Sequence, residues 1–208
     1  MKRKFRLIIA ACVLAFVALT GCSEKTAPTF PHTTDGDPTD AKYFDFDLNA
    51  DETGYVISAK ADADLPLYVI LPATYEEKPV VAIKERGFAG GEFISVSIPA
   101  GVTETGIHAF ADCEYLTTVV YGKDAEKNSS GEYVATQIIR AYAFSGCKKL
   151  QYLTLTAVNK IGDGAFAYCN KLESVTVEKT AEVATNAFPA TVKVERKACK
   201  KNLIFTRT

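Results

Sequence analysis

Histidine is nearly missing from this 208-residue chain: only His32 and His108 are present, and neither has beside it the nucleophile and orienting acid of a catalytic triad. There is no Gly-rich phosphate loop, no Cys-x-x-Cys pair and no His-Glu-x-x-His. Nucleotide hydrolysis, dithiol exchange and zinc-protease chemistry therefore lack the residues they use. A membrane span is missing too, since crossing a bilayer takes about 20 apolar residues and the apolar run Leu7 to Thr20 has 14. The chain has no surplus of basic charge either. Without Lys2, Arg3, Lys4 and Arg6, 20 basic residues face 25 acidic ones, a net charge of −5. Nucleic acid is not an expected partner of such a surface. These absences together predict a protein that is not an enzyme and uses no cofactor and no metal.

What is present begins with an address. Four basic residues precede the apolar run, in the pattern of a secretory signal. The run closes on Leu19-Thr20-Gly21-Cys22, which resembles the lipobox of bacterial lipoproteins. The resemblance implies a lipoprotein signal peptide over 1–21, acylation of Cys22 as the first mature residue, and an extracytoplasmic location at a bacterial membrane through a lipid anchor. More than one acyl chain makes such an anchor stable, because each buried methylene contributes about 0.8 kcal/mol. Ser23 to Asp40 is rich in Thr, Pro, Asp and Gly and nearly without apolar residues, so 22–40 is expected to be a disordered tether.

Residues 41–79 predict an N-terminal β cap. Phe44, Phe46 and Leu48 alternate with Asp45 and Asp47 as in a half-buried strand, Tyr55 to Lys60 follows a polar turn, and Leu67 to Leu71 forms a third apolar run. Asp45, Asp47, Asn49 and Asp51 also fall at alternating positions of a calcium loop. Ala50 stands where that loop needs Gly, however, and Val56 where it needs a bidentate Glu. Alternation within a strand is the simpler account of the carboxylates.

From residue 80 the chain repeats itself. Phe88, Phe110, Phe144, Phe166 and Phe188 stand at steps of 22, 34, 22 and 22, the long step being one period plus an insertion of 12. Five residues before each Phe come Ile83, Thr105, Ile139, Ile161 and Val183. A small residue immediately precedes it. Three residues after it come Gly91, Cys113, Cys147, Cys169 and Thr191, and six after it an aliphatic such as Leu116, Leu150 or Leu172. The first repeat runs one residue short, with Phe93 in the role of that aliphatic. Short alternating strands close the units at Val96-Ser97-Ile98, Val119-Val120-Tyr121, Leu153-Thr154-Leu155 and Val175-Thr176-Val177. A fixed period of this length means stacked units that bury one another, which predicts a β-rich solenoid over 80–194 with an insertion at 122–134 and a basic tail at 195–208.

The phrases IRAYAFSGCKKLQYLTL and IGDGAFAYCNKLESVTV, with the Ser97-Ile98-Pro99 that closes the first repeat, resemble the BspA-type leucine-rich repeat of bacterial surface proteins. The resemblance implies a right-handed leucine-rich-repeat superhelix, here of about five 22-residue repeats. It also implies a role in adhesion or ligand binding rather than catalysis.

Cys113, Cys147, Cys169 and Cys199 remain once Cys12 and Cys22 are set aside. Export invites disulfides, yet three of the four share one repeat position. That is how a small buried hydrophobe behaves in a ladder, so free thiols are favoured. The candidate ligand-binding residues are the outward members of the repeat strands: Ser95, Ser97, Thr118, Val120, Tyr152, Thr154, Ser174 and Thr176. They form a column of hydroxyls with one aromatic and no charge. Tyr is a favoured recognition anchor, although Ser and Thr also serve simply to keep an exposed sheet soluble. The charged insertion, with Lys123, Asp124, Glu126 and Lys127, is a second candidate. The reading is a monomeric, surface-exposed, membrane-anchored module that recognises an extracellular or envelope protein or glycan through its strand face. The alternative is a structural or scaffolding lipoprotein inside the envelope with no host ligand.

Overall fold

A computed structural model describes residues 36–123 and 136–197. The expected signal peptide, the proposed lipid site Cys22, most of the expected tether, residues 124–134 of the insertion, Cys199 and the tail beyond 197 lie outside the described residues.

In chain order the strands are β1 (Phe44–Leu48), β2 (Tyr55–Ala59), β3 (Tyr68–Ile70), β4 (Thr74–Tyr75), β5 (Lys78–Ile83), β6 (Ser95–Pro99), β7 (Glu104–Thr105), β8 (Thr118–Lys123), β9 (Gln137–Ile139), β10 (Tyr152–Leu155), β11 (Val158–Ile161), β12 (Ser174–Glu178), β13 (Glu182–Val183) and β14 (Lys193–Lys197). The only helical element among the described residues is a 3₁₀ turn at Ala41–Tyr43, which Asp40 caps by accepting from the Lys42 amide. The fold is a β-solenoid of about six turns.

Each turn contributes two short strands, and these assemble into a long sheet, a four-stranded sheet and a separate parallel pair. The first sheet runs β1-β2-β5-β7-β9-β11-β13, antiparallel only where β1 pairs β2 and where β4 pairs β5. Its parallel register aligns Ile57, Ile83, Thr105, Ile139, Ile161 and Val183 in one inward column. That is the set expected five residues before each Phe, extended by Ile57 from the cap. The second sheet runs β10-β8-β6-β3 and aligns Val69, Val96, Val119 and Leu153, while β12 and β14 form a further parallel pair. Strand alternation puts these aliphatics inside. The cap therefore does more than cover an end: β2 and β3 occupy the places of repeat strands, one in each sheet.

Between the sheets the phenylalanines stack. Successive ring centroids from Phe88 through Phe110, Phe144 and Phe166 to Phe188 are 5.2, 4.9, 5.2 and 4.9 Å apart. The first four rings are buried, and Phe188 is partly covered at the end of the column. A backbone ladder runs beside them, with the amide of each Phe donating to the carbonyl of the small residue before the next Phe, as from Phe88 to Ala109 and from Phe144 to Ala165. A large side chain at that small position would hold the turns apart. Phe93 is fully buried and Ile94 only half so, which matches a first repeat one residue short.

The ends are handled differently. At the start, Phe44 packs edge-on against Phe88, with centroids 6.0 Å apart, and Phe46 stacks on Tyr75 at 3.8 Å. At the other end β14 presents Lys193, Glu195 and Lys197, and a charged edge resists pairing with another chain.

Candidate functional site

The outward members of the second sheet form two rows. One contains Tyr68, Ser95, Thr118 and Tyr152 in register, the other Ile70, Ser97, Val120 and Thr154. Ser174 and Thr176 continue the pattern on β12 and are exposed. The expectation of an open column of hydroxyls needs correcting at three of its members, because Ser95, Ser97 and Thr118 are buried at 3, 1 and 0% exposure. Each stands in register beside a longer side chain on a neighbouring strand about 4.8 Å away, Ser95 beside Tyr68, Ser97 beside Ile70 and Thr118 beside Tyr152. The Ser97 Oγ has no hydrogen-bond partner. Of the remaining members Ser174 and Thr176 are exposed, and Val120, Tyr152 and Thr154 are half-buried.

Tyr68, 42% exposed, belongs to the same row and was not among the residues read from the sequence. It lies in the cap, and only the pairing of β3 with β6 brings it level with Ser95 and Thr118. The chain enters beside it. The Thr39 amide donates to the Ile70 carbonyl, and Thr39 Oγ1 accepts from the Ile70 amide, both at 2.9 Å.

Two further ladders lie on the turns that carry the Phe column. The residue two before the Phe takes a left-handed backbone at Arg86, His108, Tyr142 and Gly164, with φ from 54° to 58°. The residue two after it does so at Gly90, Asp112, Gly146 and Tyr168, with φ from 59° to 81°. His108, one of the two histidines, stacks on Tyr142 with centroids 5.3 Å apart and 12° between planes.

The cysteines form a buried ladder of free thiols. Cys113 Sγ donates to the Phe88 carbonyl at 3.1 Å, Cys147 to Phe110 at 3.1 Å and Cys169 to Phe144 at 3.3 Å. Each thiol thus ties its own turn to the one before. Burial pushes the Cys169 thiol up to about 12. Cys147 is pushed up as well, chiefly by its hydrogen-bonding contact with the Cys113 thiol and then by burial. Such thiols neither ionise nor attack at neutral pH.

One ladder position is polar for a structural reason. Thr105, in the column of isoleucines, meets Tyr121 from the opposite sheet, and their hydroxyls lie 2.6 Å apart in the core. Burial raises the phenol well above its ordinary value. Gln137 is likewise fully buried, and its Nε2 holds the loop after β6 by donating to the carbonyls of Pro99 and Val102.

The carboxylates of the calcium-like stretch are occupied otherwise. Asp47 accepts from Lys84 Nζ at 2.7 Å, and Asn49 Oδ1 accepts from the Gly54 amide at 2.9 Å to close the turn. Among the described residues no group of three or more His, Cys, Asp or Glu could hold a metal ion. A cleft of about 480 Å³ opens where the loop after β2 meets the first Phe turn. Lys60, Asp62, Asp64 and Glu92 are its charged lining, and no Ser, Thr, Cys or His side chain faces it.

Comparison with known proteins places this architecture. The family described as BspA type Leucine rich repeat region matches residues 81–204 in six copies. Among solved structures, a leucine-rich repeat protein of T. pallidum shares 26% identity over 77% of this chain and 65% of its own, with a TM-score of 0.56. One from Bacteroides ovatus has the same fold at 22% identity, covering 74% of this chain and 40% of its own, with a TM-score of 0.59. The chain thus spans 65% and 40% of those two proteins. No curated protein matches it.

Proposed function

Since this chain belongs to the BspA-type leucine-rich repeat family, we propose that it is a non-catalytic recognition module, displayed on a bacterial surface by a lipid on Cys22, that binds a protein ligand through the outer face of its second sheet. Leucine-rich-repeat solenoids of this kind are typically interaction modules without catalytic groups.

The observation that carries the proposal is the run of half-buried Tyr152 and Thr154 on β10 and exposed Ser174 and Thr176 on β12 of the next turn. It combines one amphipathic ring with hydroxyls and carries no charge that a partner would have to strip of water. The Phe column and the thiol ladder hold the rungs in fixed register behind it, so ordering costs little on binding. The segment at Thr39 lies beside β3, at the cap end of the same sheet.

Display is tested by treating intact cells with a membrane-impermeant lysine label, with lysed cells as control. Modification in intact cells is expected, and modification only after lysis refutes surface display. The face is tested on the same protein: Tyr152→Ala and Thr154→Lys should abolish capture of the ligand while leaving the melting temperature unchanged. Binding that survives both changes would exclude this face.

A further inference from the structure

The left-handed ladders are held by backbone hydrogen bonds from turn to turn, as from the Tyr142 amide to the Asp163 carbonyl and from the Gly146 amide to the Ala167 carbonyl. Glycine is the residue suited to a positive φ, and the chain uses it at Gly90, Gly146 and Gly164. At Tyr142 and Tyr168 the same backbone carries a bulky ring, as it carries Arg86, His108 and Asp112 on other turns. Neither ring is drawn into the core, for Tyr142 is 41% and Tyr168 69% exposed, the latter among the most exposed large hydrophobic side chains described.

The rings are laid out along the stack. His108 stacks on Tyr142. A side chain at Gly164 would collide with the Tyr142 ring, and one at Gly146 with the Asp112 carboxylate, so each group lies across the bare backbone of the following turn. Aromatic surface thus continues from His108 over Tyr142 to the turn that bears Tyr168. Its polar neighbours are the Asp112 carboxylate and, between Tyr142 and Gly146, the half-buried Ser145.

We infer that the crest formed by Tyr142 and Tyr168, with Asp112 and Ser145 beside them, is a carbohydrate-binding surface that stacks sugar rings of a polysaccharide chain lying along the solenoid axis. A sugar ring offers an apolar C–H face to a tyrosine and hydroxyls at its edge to a carboxylate or a serine, which is the combination present here. Backbone conformation sets these rings in advance, so stacking needs little reorganisation. A protein partner fits the crest less well. The surrounding turns carry the Lys148–Glu114 ion pair and Lys149 over the Tyr115 ring, and these charges would have to be desolvated beneath a dry interface. The crest is separate from the strand face and carries none of the residues assigned to it.

The test is affinity electrophoresis of the secreted chain through gels containing neutral plant or fungal polysaccharides, with retention on purified bacterial peptidoglycan in parallel. At least one glycan should retard the wild type. Tyr168→Gly, which suits the left-handed backbone, should weaken that retardation by about tenfold or more without lowering the melting temperature. Tyr142→Gly should do the same, whereas Tyr168→Phe should keep binding within about twofold, since the stacking face remains. Tyr152→Ala on the strand face should leave glycan binding unchanged, so failure of one site is distinguishable from failure of the other. The inference is overturned if no glycan retards the wild type, if binding survives both glycine variants, or if the crest variants lose binding only to a protein.

Discussion

Replacing Thr105 tests whether the solenoid interior is organised by repeat pattern or by contacts across it. Judged by its column, Ile57, Ile83, Ile139, Ile161 and Val183, an aliphatic at position 105 restores the pattern and should stabilise. The structure requires the opposite. Thr105 Oγ1 lies 2.6 Å from the Tyr121 hydroxyl, both residues are buried to 1% exposure, and Tyr121 also packs edge-on against Phe144 with centroids 6.0 Å apart. Thr105→Val keeps the β-branched shape and strands the Tyr121 hydroxyl without a partner, at a cost of about 1–3 kcal/mol. For a domain of this size that lowers the melting point by roughly 3–9 °C. Tyr121→Phe should cost about 1–2 kcal/mol for the converse reason. With both hydroxyls gone, the double variant should return to within about 1 kcal/mol of wild type, a coupling of about 1–4 kcal/mol. Urea unfolding followed by circular dichroism of the four proteins measures the cycle. If Thr105→Val is neutral or stabilising, or if the two changes simply add, the cross-core hydrogen bond does not matter and the column pattern governs.

The Phe column makes a second prediction. Phe144→Ala, between rings 4.9 and 5.2 Å away, should cost about 3–5 kcal/mol and Phe188→Ala at the half-covered end clearly less; denaturant titration decides, and a loss below about 1 kcal/mol for Phe144 would remove the column from the core. With Cys22 and Cys199 changed to Ser, the thiols of Cys113, Cys147 and Cys169 should resist a soluble disulfide reagent at pH 8 until urea unfolds the chain, and rapid labelling of the native protein would contradict the buried ladder. Glu195, whose carboxyl Lys193 and Lys197 hold down to about 2 from 3.0 Å each, should titrate near that value by NMR. Its folded value lies below its ordinary one, so its contribution is present above the ordinary carboxylate range and lost as pH falls toward about 2; a midpoint near 4 would mean that β14 does not hold these pairs.

How much of this was legible in the residues varies from element to element. The Phe spacing, the small residue before each Phe, the short first repeat with Phe93 in the aliphatic role and the Cys position all mark stacked turns, because a side chain that meets its own copy in the next turn must recur at a constant offset. The cap strand Leu67 to Leu71 was visible as an apolar run, but not its place. Nothing local distinguishes a strand that covers an end from one that pairs with β6, and so Tyr68 escaped notice as a neighbour of Ser95. The strand-face hydroxyls were identified by alternation, which gives direction but not exposure, and Ser95, Ser97 and Thr118 are buried in the stacked structure.

The sequence by itself determined the architecture, since period, register and inward columns all follow from residues repeating within a single turn. The tertiary structure alone decided what that repetition hides. Thr105 departs from its column because of a tyrosine on the opposite sheet, and the left-handed turns expose Tyr142 and Tyr168 in rows that no linear pattern marks. The physical reason is that offsets along one chain encode contacts between like positions, whereas contacts between unlike positions, across the core or over the crest, exist only once the turns are stacked.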